Sequence, residues 1–300
     1  MKAQQKTVLK GHAASVYCLF IDTASSRILS GGADNMLGAW KADELVPDGF
    51  SIKLNASVFS IYKSDDLLFL GQASGGVHIF DLSLKREIRH LKYHTRPVFD
   101  IVAHDTIPVF YFLGGDGVLS IVDSDDFSLR WSLPLSDDKL RTAIIDSGGN
   151  RLLIGSSDGY LRMLETEYYN VLDEFMAHEG GVYDLAWLSE KQLLTVGRDG
   201  HVRIWNYTED RLVQKTAVPA HNFAIYSVDV SPSGKLFATG SRDKTIKVWD
   251  PKHMKQPLRI SRKGPVGHTH SVNVVKWINE SLLLSAGDDR DLHFWTISNS

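Results

Sequence analysis

The stretch from His178 to Asn206, HEGGVYDLAWLSEKQLLTVGRDGHVRIWN, decides the fold, because the chain repeats it elsewhere. His221 opens HNFAIYSVDVSPSGKLFATGSRDKTIKVWD, and His268 opens HTHSVNVVKWINESLLLSAGDDRDLHFWT. Near the start, His12 opens HAASVYCLFIDTASSRILSGGADNMLGAWK. Aligned on the last aromatic or its replacement, the units close at Trp40, Phe80, Val122, Leu164, Trp205, Trp249 and Trp295, spaced 40 to 46 residues apart. Seven units of one length fill the chain. Such a period marks a repeat architecture in which each unit buries its apolar surface against the next.

Inside a unit the hydrophobic period is two. GHVRIWN (200–206) and KTIKVWD (244–250) alternate and are rich in β-branched residues, as strands are. RILSGG, DLLFLG, RLLIGS, QLLTVG and KLFATG are short apolar strands that end at or beside glycine. Asp116-Gly117, Asp158-Gly159 and Asp199-Gly200 are dipeptides favoured in tight hairpins. No segment carries a helical pattern. Four short antiparallel strands per unit, seven times over, predict an all-β seven-bladed propeller.

The closing unit stops after its third strand, DLHFWTI. The N-terminal QKTVLKGH resembles LRISRKGPVGH and VLDEFMAH, fourth strands that lead into the next histidine. Residues 4–10 are therefore expected to form the outer strand of the last blade, latching the ring and pairing its edge. The chain reads as a single domain over residues 1–300.

Composition narrows the function. The chain has 300 residues, 43% hydrophobic and 10% aromatic, which is ample to bury a core and excludes disorder. A net charge of -3 argues against nucleic acid and anionic membranes as partners. Cys18 is the single cysteine, so no internal disulfide forms and a reducing compartment fits. The N-terminus lacks the apolar core of a secretory signal, and no apolar run reaches membrane length. A soluble, cytoplasmic protein is expected.

The period, the Gly-His marks at Gly11-His12 and Gly267-His268 and the Trp-Asp mark at Trp249-Asp250 resemble the WD-repeat β-propellers. The resemblance covers the whole chain. Elsewhere the marks are altered, to Tyr93-His94, Ala177-His178 and Ala220-His221.

Four units carry a complete His, Ser/Thr, Asp, Trp set. These are His12, Ser30, Asp34, Trp40; His178, Thr195, Asp199, Trp205; His221, Thr239, Asp243, Trp249; and His268, Ser285, Asp289, Trp295. The resemblance implies structural tetrads, with hydrogen bonds running from Asp through His and hydroxyl to the indole. An indole N–H only donates, and a hydroxyl can accept that bond while donating onward. A hydrolytic Ser-His-Asp reading fails on number, since four equivalent copies sit on four blades. In the units ending at Phe80, Val122 and Leu164 the aromatic indole and the hydroxyl are lost together. His94 and Asp116 persist in the third unit, whereas Asp158 in the fourth has no His or Trp partner and is expected to matter less.

Gly155-Ser156-Ser157-Asp158-Gly159 matches a nucleophile elbow, but a strand rather than a helix follows, so it reads as a hairpin turn. The histidines follow the repeat, with His268 and His270 the close pair in sequence. No catalytic residue, cofactor or metal is expected. Two surface excursions stand out. One is the basic 259–265 loop with Arg259, Arg262 and Lys263, and the other is 43–50, where Pro47-Asp48-Gly49 suggests a turn.

The resemblance implies a non-enzymatic scaffold or adaptor that binds protein or peptide partners, often within a multi-subunit assembly. Its top face, which bears the tetrad His and Asp loops, would hold Tyr17, Phe59, Phe99, Arg141, Tyr183, Tyr226 and Asn273 at the rim. Arg198, Arg242 and Asp288, each just before a turn aspartate or its equivalent, join them. Aromatic residues are enriched at interface hot spots. The alternative is an enzyme or small-molecule binder with a site over the central channel. Acidic or histidine side chains converging on the innermost strands would favour it.

Overall fold

Arg151–Ser156 (RLLIGS) and Gln192–Gly197 (QLLTVG) are apolar almost throughout, and the computed structural model shows both of their faces buried. Alternate side chains serve different neighbours. Leu152 and Ile154 pack with Tyr111 and Leu119 of the preceding blade, while Leu153 packs with Val182 and Leu193 of the following one. Full burial of each such leucine contributes about 1.5–3 kcal/mol. The structure describes residues 1–208 and 211–298, so the last two positions of the expected 1–300 span lie outside the described residues.

Among the described residues there are seven four-stranded antiparallel sheets and no helix. No helix is therefore long and apolar enough to cross a membrane. The inner strands are Val16–Asp22, Val58–Ser64, Val98–Ala103, Leu140–Ile145, Val182–Ser189, Ile225–Val230 and Val272–Asn279. Each packs against the next, and the seventh packs against the first, so the blades form a closed ring. The core is a set of seven apolar wedges, one at each junction between blades.

Polar staples reinforce the inner seams. Ser60 donates to the Val98 carbonyl at 3.0 Å, and Asp100 accepts from the Ala143 amide at 3.0 Å. Asp184 accepts from the Val228 amide at 2.8 Å, and Asp229 from the Trp277 amide at 2.7 Å. Each bond joins one blade to the next and gives a backbone group a side-chain partner.

The last blade has Leu292–Ser298 as its third strand and Lys2–Leu9 as its outer strand. Pairing runs from Lys2 opposite Ser298 to Leu9 opposite Leu292, with a bulge between Gln5 and Thr7. The ring thus closes through the N-terminal strand.

One local expectation changes. Pro47-Asp48-Gly49 lies within the outer strand Val46–Lys53 of the first blade, with Pro47 opposite Trp40. The pairing slips between Gly38 and Trp40, and Gly49 takes φ +88°, so the extra length is absorbed within the strand rather than spent on a separate turn. An outer edge strand tolerates proline because its missing N–H would have faced solvent.

Candidate functional site

The four tetrads share one geometry. In the sixth blade Trp249 Nε1 donates to Thr239 Oγ1 at 3.0 Å, Thr239 bonds His221 Nε2 at 2.8 Å, and His221 Nδ1 lies 2.9 Å from Asp243. The first, fifth and seventh blades repeat these contacts within 0.2 Å. Indole-to-hydroxyl distances there are 2.8, 2.9 and 2.8 Å, and hydroxyl-to-imidazole distances are all 2.7 Å. Such a chain gives every buried polar atom a partner. Burial resists ionisation of Asp243 and Asp199, but the histidine bonds, joined by Thr245 and Arg203 respectively, hold both carboxyls well below the usual carboxylate range. Burial pushes the His178 and His221 rings down, against the pull of their aspartates.

The blades without tetrads are wired differently. In the third, His94 Nδ1 still meets Asp116 at 3.0 Å. In the fourth, Asp158 has no His or Trp partner among the described residues, as its sequence reads, yet other residue types hold it. Ser136 stands 22 residues ahead of it, where a tetrad histidine would stand, and donates at 2.7 Å. Arg162, on the third strand opposite Ile154, donates to Ser156 at 2.6 Å and to Asp158 at 2.8 Å. Burial opposes ionisation, yet Arg162, Ser156 and Ser136 bring the Asp158 carboxyl down to about 2. The segment matching the nucleophile elbow is this turn: Ser156 ends one strand, Tyr160 begins the next, and Ser156 is held by Asp158 and Arg162.

Histidines also come together in ways the sequence did not suggest. His78 and His90 stack at 3.9 Å beside Glu87, and His268 and His293 lie 4.0 Å apart beside Asp289. His270, the near neighbour in sequence, instead bonds the Thr269 hydroxyl at the surface.

At the top end of the inner strands the side chains form a collar. Tyr17 stacks on Phe59 at 4.7 Å, and Phe59 meets Phe99 edge-on at 5.3 Å. The Arg141 guanidinium sits between rings, 4.3 Å from Phe99 and 4.8 Å from Tyr183, and Tyr183 stacks on Tyr226 at 5.8 Å. Asn273 completes the circuit, donating to Asp288 at 2.8 Å and to the Val16 carbonyl at 3.0 Å. These eight residues line one cavity of about 890 Å³ along the ring axis. Arg198 and Arg242 do not; they are exposed outside it, Arg242 lying 6.0 Å from the Phe223 ring. None of the collar aromatics belongs to the apolar wedges between blades, so their packing is with one another.

Sequence reasoning missed two features of this end. Phe223 is 58% exposed on the loop after His221, a large aromatic with no core role. Below the collar, Asp100, Asp184, Asp229 and Lys276 line the same cavity. Burial pushes Asp100 up to about 6 and raises Asp184, whereas the adjacent Asp229 carboxylate raises Lys276 against burial. Lys276 Nζ lies 3.3 Å from Asp229. Their signal was available, since Asp100 and Asp184 directly follow Phe99 and Tyr183 in their strands. The 259–265 segment holds a tight exposed turn bridged between Lys263 and Val266, away from the cavity lining.

Comparison with known proteins agrees with this geometry. The family model described as "WD domain, G-beta repeat" matches residues 3–41, 169–206, 212–250 and 261–296, half of the chain in all. Those four matches are the units with complete tetrads. The chain is 24% identical to WD repeat-containing protein 1 of Gallus gallus, over 97% of this chain and 48% of that protein. It is 25% identical to Ribosome biogenesis protein YTM1 of Scheffersomyces stipitis, over 95% and 52%. A WD repeat-containing protein 55 homolog of Drosophila persimilis matches at 23% over 64% and 38%. The chain thus spans about half the length of the first two relatives, and less of the third. The cytoplasmic location expected from the sequence is corrected, because one of these relatives is named for ribosome biogenesis. With half of its length matched by the repeat model and all seven blades in place, the chain belongs to the WD domain, G-beta repeat family.

Proposed function

We propose that residues 1–300 act as one non-enzymatic scaffold that binds a protein or peptide partner through the collar at the top of the ring. One observation carries the reading: five aromatic rings and one guanidinium are held in mutual contact, half-exposed, around an open cavity. Such rings offer large contact area at small entropic loss, and their neighbours already fix their rotamers. Exposed Phe223, Arg198 and Arg242 extend the same surface outward. A relative named for ribosome biogenesis supports a partner within a multi-subunit assembly.

The channel carboxylates favour a second reading, a small-molecule or catalytic site. Three of them, however, have a structural task, because Asp100, Asp184 and Asp229 each cap a backbone amide of the neighbouring blade. Asp229 also neutralises Lys276. Groups committed to the seams are poor candidates for proton transfer to a ligand. Affinity capture from cell extract with the wild type and with Tyr183→Ala plus Tyr226→Ala tests the scaffold reading. Loss of the main partners by a correctly folded double variant is expected, and full retention moves the site off the collar.

A further inference from the structure

In every blade one residue of the third strand stands opposite the hydroxyl position of the second. In the first, fourth, fifth, sixth and seventh blades it is Gly38, Arg162, Arg203, Lys247 and His293. The two arginines reach the turn aspartate of their own blade, Arg162 to Asp158 at 2.8 Å and Arg203 to Asp199 at 2.7 Å. Gly38 shows that a tetrad needs no side chain there at all. His293 fits neither pattern. It is 4% exposed, and among the described residues neither of its ring nitrogens has a hydrogen-bond partner. A buried imidazole with both nitrogens idle calls for a reason.

Its surroundings supply one. The His293 ring lies flat against Trp295, at 5.8 Å and 8°, and its Nε2 is 3.7 Å from Asp289 Oδ2. That same oxygen is 2.8 Å from His268 Nδ1, and all three ligand atoms fall within 4.8 Å of one another. We propose that His268 Nδ1, the Asp289 carboxylate and His293 Nε2 bind a zinc-type divalent cation. Two imidazoles and a carboxylate are the ligand set such ions prefer, with bond lengths near 2.0–2.2 Å that place tetrahedral ligand atoms about 3.4 Å apart. The observed spacings bracket that value, so small side-chain rotations close the site.

The tetrad accommodates the change without loss. With Nδ1 on the metal, the His268 proton sits on Nε2 and is donated to Ser285 Oγ, 2.7 Å away. Ser285 continues to accept from Trp295 Nε1 and turns its own proton to the His293 carbonyl at 3.4 Å. The hydroxyl then orients the ligand from behind, as outer partners of metal-bound histidines do. All three side chains are nearly buried, and three protein ligands leave the fourth tetrahedral position to a water. The site's place is the blade completed by the N-terminal strand, where Val8 pairs with His293 itself, so the metal would tighten the ring closure. The other cluster, His78, Glu87 and His90, is weaker. Both His78 nitrogens already have partners in Glu87 and Gln72, and His90 and Glu87 are exposed.

Zinc chloride titrated into tag-free protein previously stripped with chelator tests the assignment. The wild type is expected to take up one equivalent and to melt roughly 4 °C higher at a hundredfold excess over Kd. His293→Gln should lose both effects, and His90→Ala should keep them. Cobalt(II) added to the stripped wild type gives a readout independent of any variant, with intense visible bands of tetrahedral nitrogen and oxygen coordination expected. The proposal is overturned by no zinc-dependent shift in the wild type, by undiminished binding in His293→Gln, by loss of binding in His90→Ala, or by the pale spectrum of octahedral cobalt.

Discussion

Replacing Thr239 with valine keeps the shape of the side chain and removes one oxygen. That oxygen serves two buried groups, the Trp249 indole N–H at 3.0 Å and His221 Nε2 at 2.8 Å. Trp249 is 2% exposed, so water cannot take over. Each buried polar group left without a partner destabilises by about 1–3 kcal/mol, and the two together by about 3 kcal/mol. A chain of this size unfolds with an entropy near 0.6 kcal/mol per degree, so the variant should melt about 5 °C lower. Adding Trp249→Phe removes the stranded donor, and the double variant should be at least about 1 kcal/mol more stable than the sum of the singles predicts. The third blade shows the paired loss in nature, with Phe112 and Val122 at the two positions. Differential scanning calorimetry of the four proteins completes the cycle. A Thr239→Val variant melting within 1 °C of the wild type, or strict additivity in the double, refutes the hydrogen-bond account of the tetrad.

The remaining expectations concern the fourth blade, acidity and the latch. Asp158→Ala removes the acceptor of Ser136, Ser156 and Arg162 and should cost about 1–3 kcal/mol in urea unfolding, comparable with Asp243→Ala; a cost under about 0.5 kcal/mol would show that its network is idle. The folded-state carboxyls of Asp158, Asp199 and Asp243 titrate below their unfolded values, so the stability they contribute is complete above about pH 4 and drains away as pH falls toward 2. Asp158→Asn should flatten the difference in stability between pH 5 and pH 3 by roughly 0.5 kcal/mol, after discounting for partial exposure, and an unchanged difference would exclude its part in the acid loss. Deleting residues 1–10 bares the edge of Leu292–Ser298 and should lower the melting temperature by more than about 5 °C or cause aggregation, whereas an unchanged melting curve would remove the latch from the account.

The fold was readable because its determinants are local and repeated. Each unit carries its own alternating strand, Asp-Gly turn and His-to-Trp spacing, and burial of both faces of the second strand accounts for runs such as RLLIGS. What escaped the sequence depends on pairing between strands. Asp158 lacks His and Trp partners among the described residues, and the residues that do hold it, Ser136 and Arg162, are not the types that a tetrad pattern searches for. His293 meets His268 only through the register that sets Ser285 opposite it. The seam position holds Cys18, Ser60, Asp100, Thr142, Asp184, Ser227 and Val274 in turn, so no residue type announces it. Proline and glycine at 47–49 suggest a turn to any local rule, but an outer strand with solvent on one side has room for both.

The central claim, that partners dock on the aromatic collar, is tested most directly by site-specific photocross-linking in cells. A photoreactive benzoylphenylalanine takes the place of Tyr226 in one protein and of Trp131, 56% exposed on an outer strand, in another. Ultraviolet irradiation should join the main partner to the Tyr226 position and leave the Trp131 position unlinked. Cross-links at Trp131 with none at Tyr226, in proteins that fold alike, would contradict the claim and move the docking surface to the blade edges.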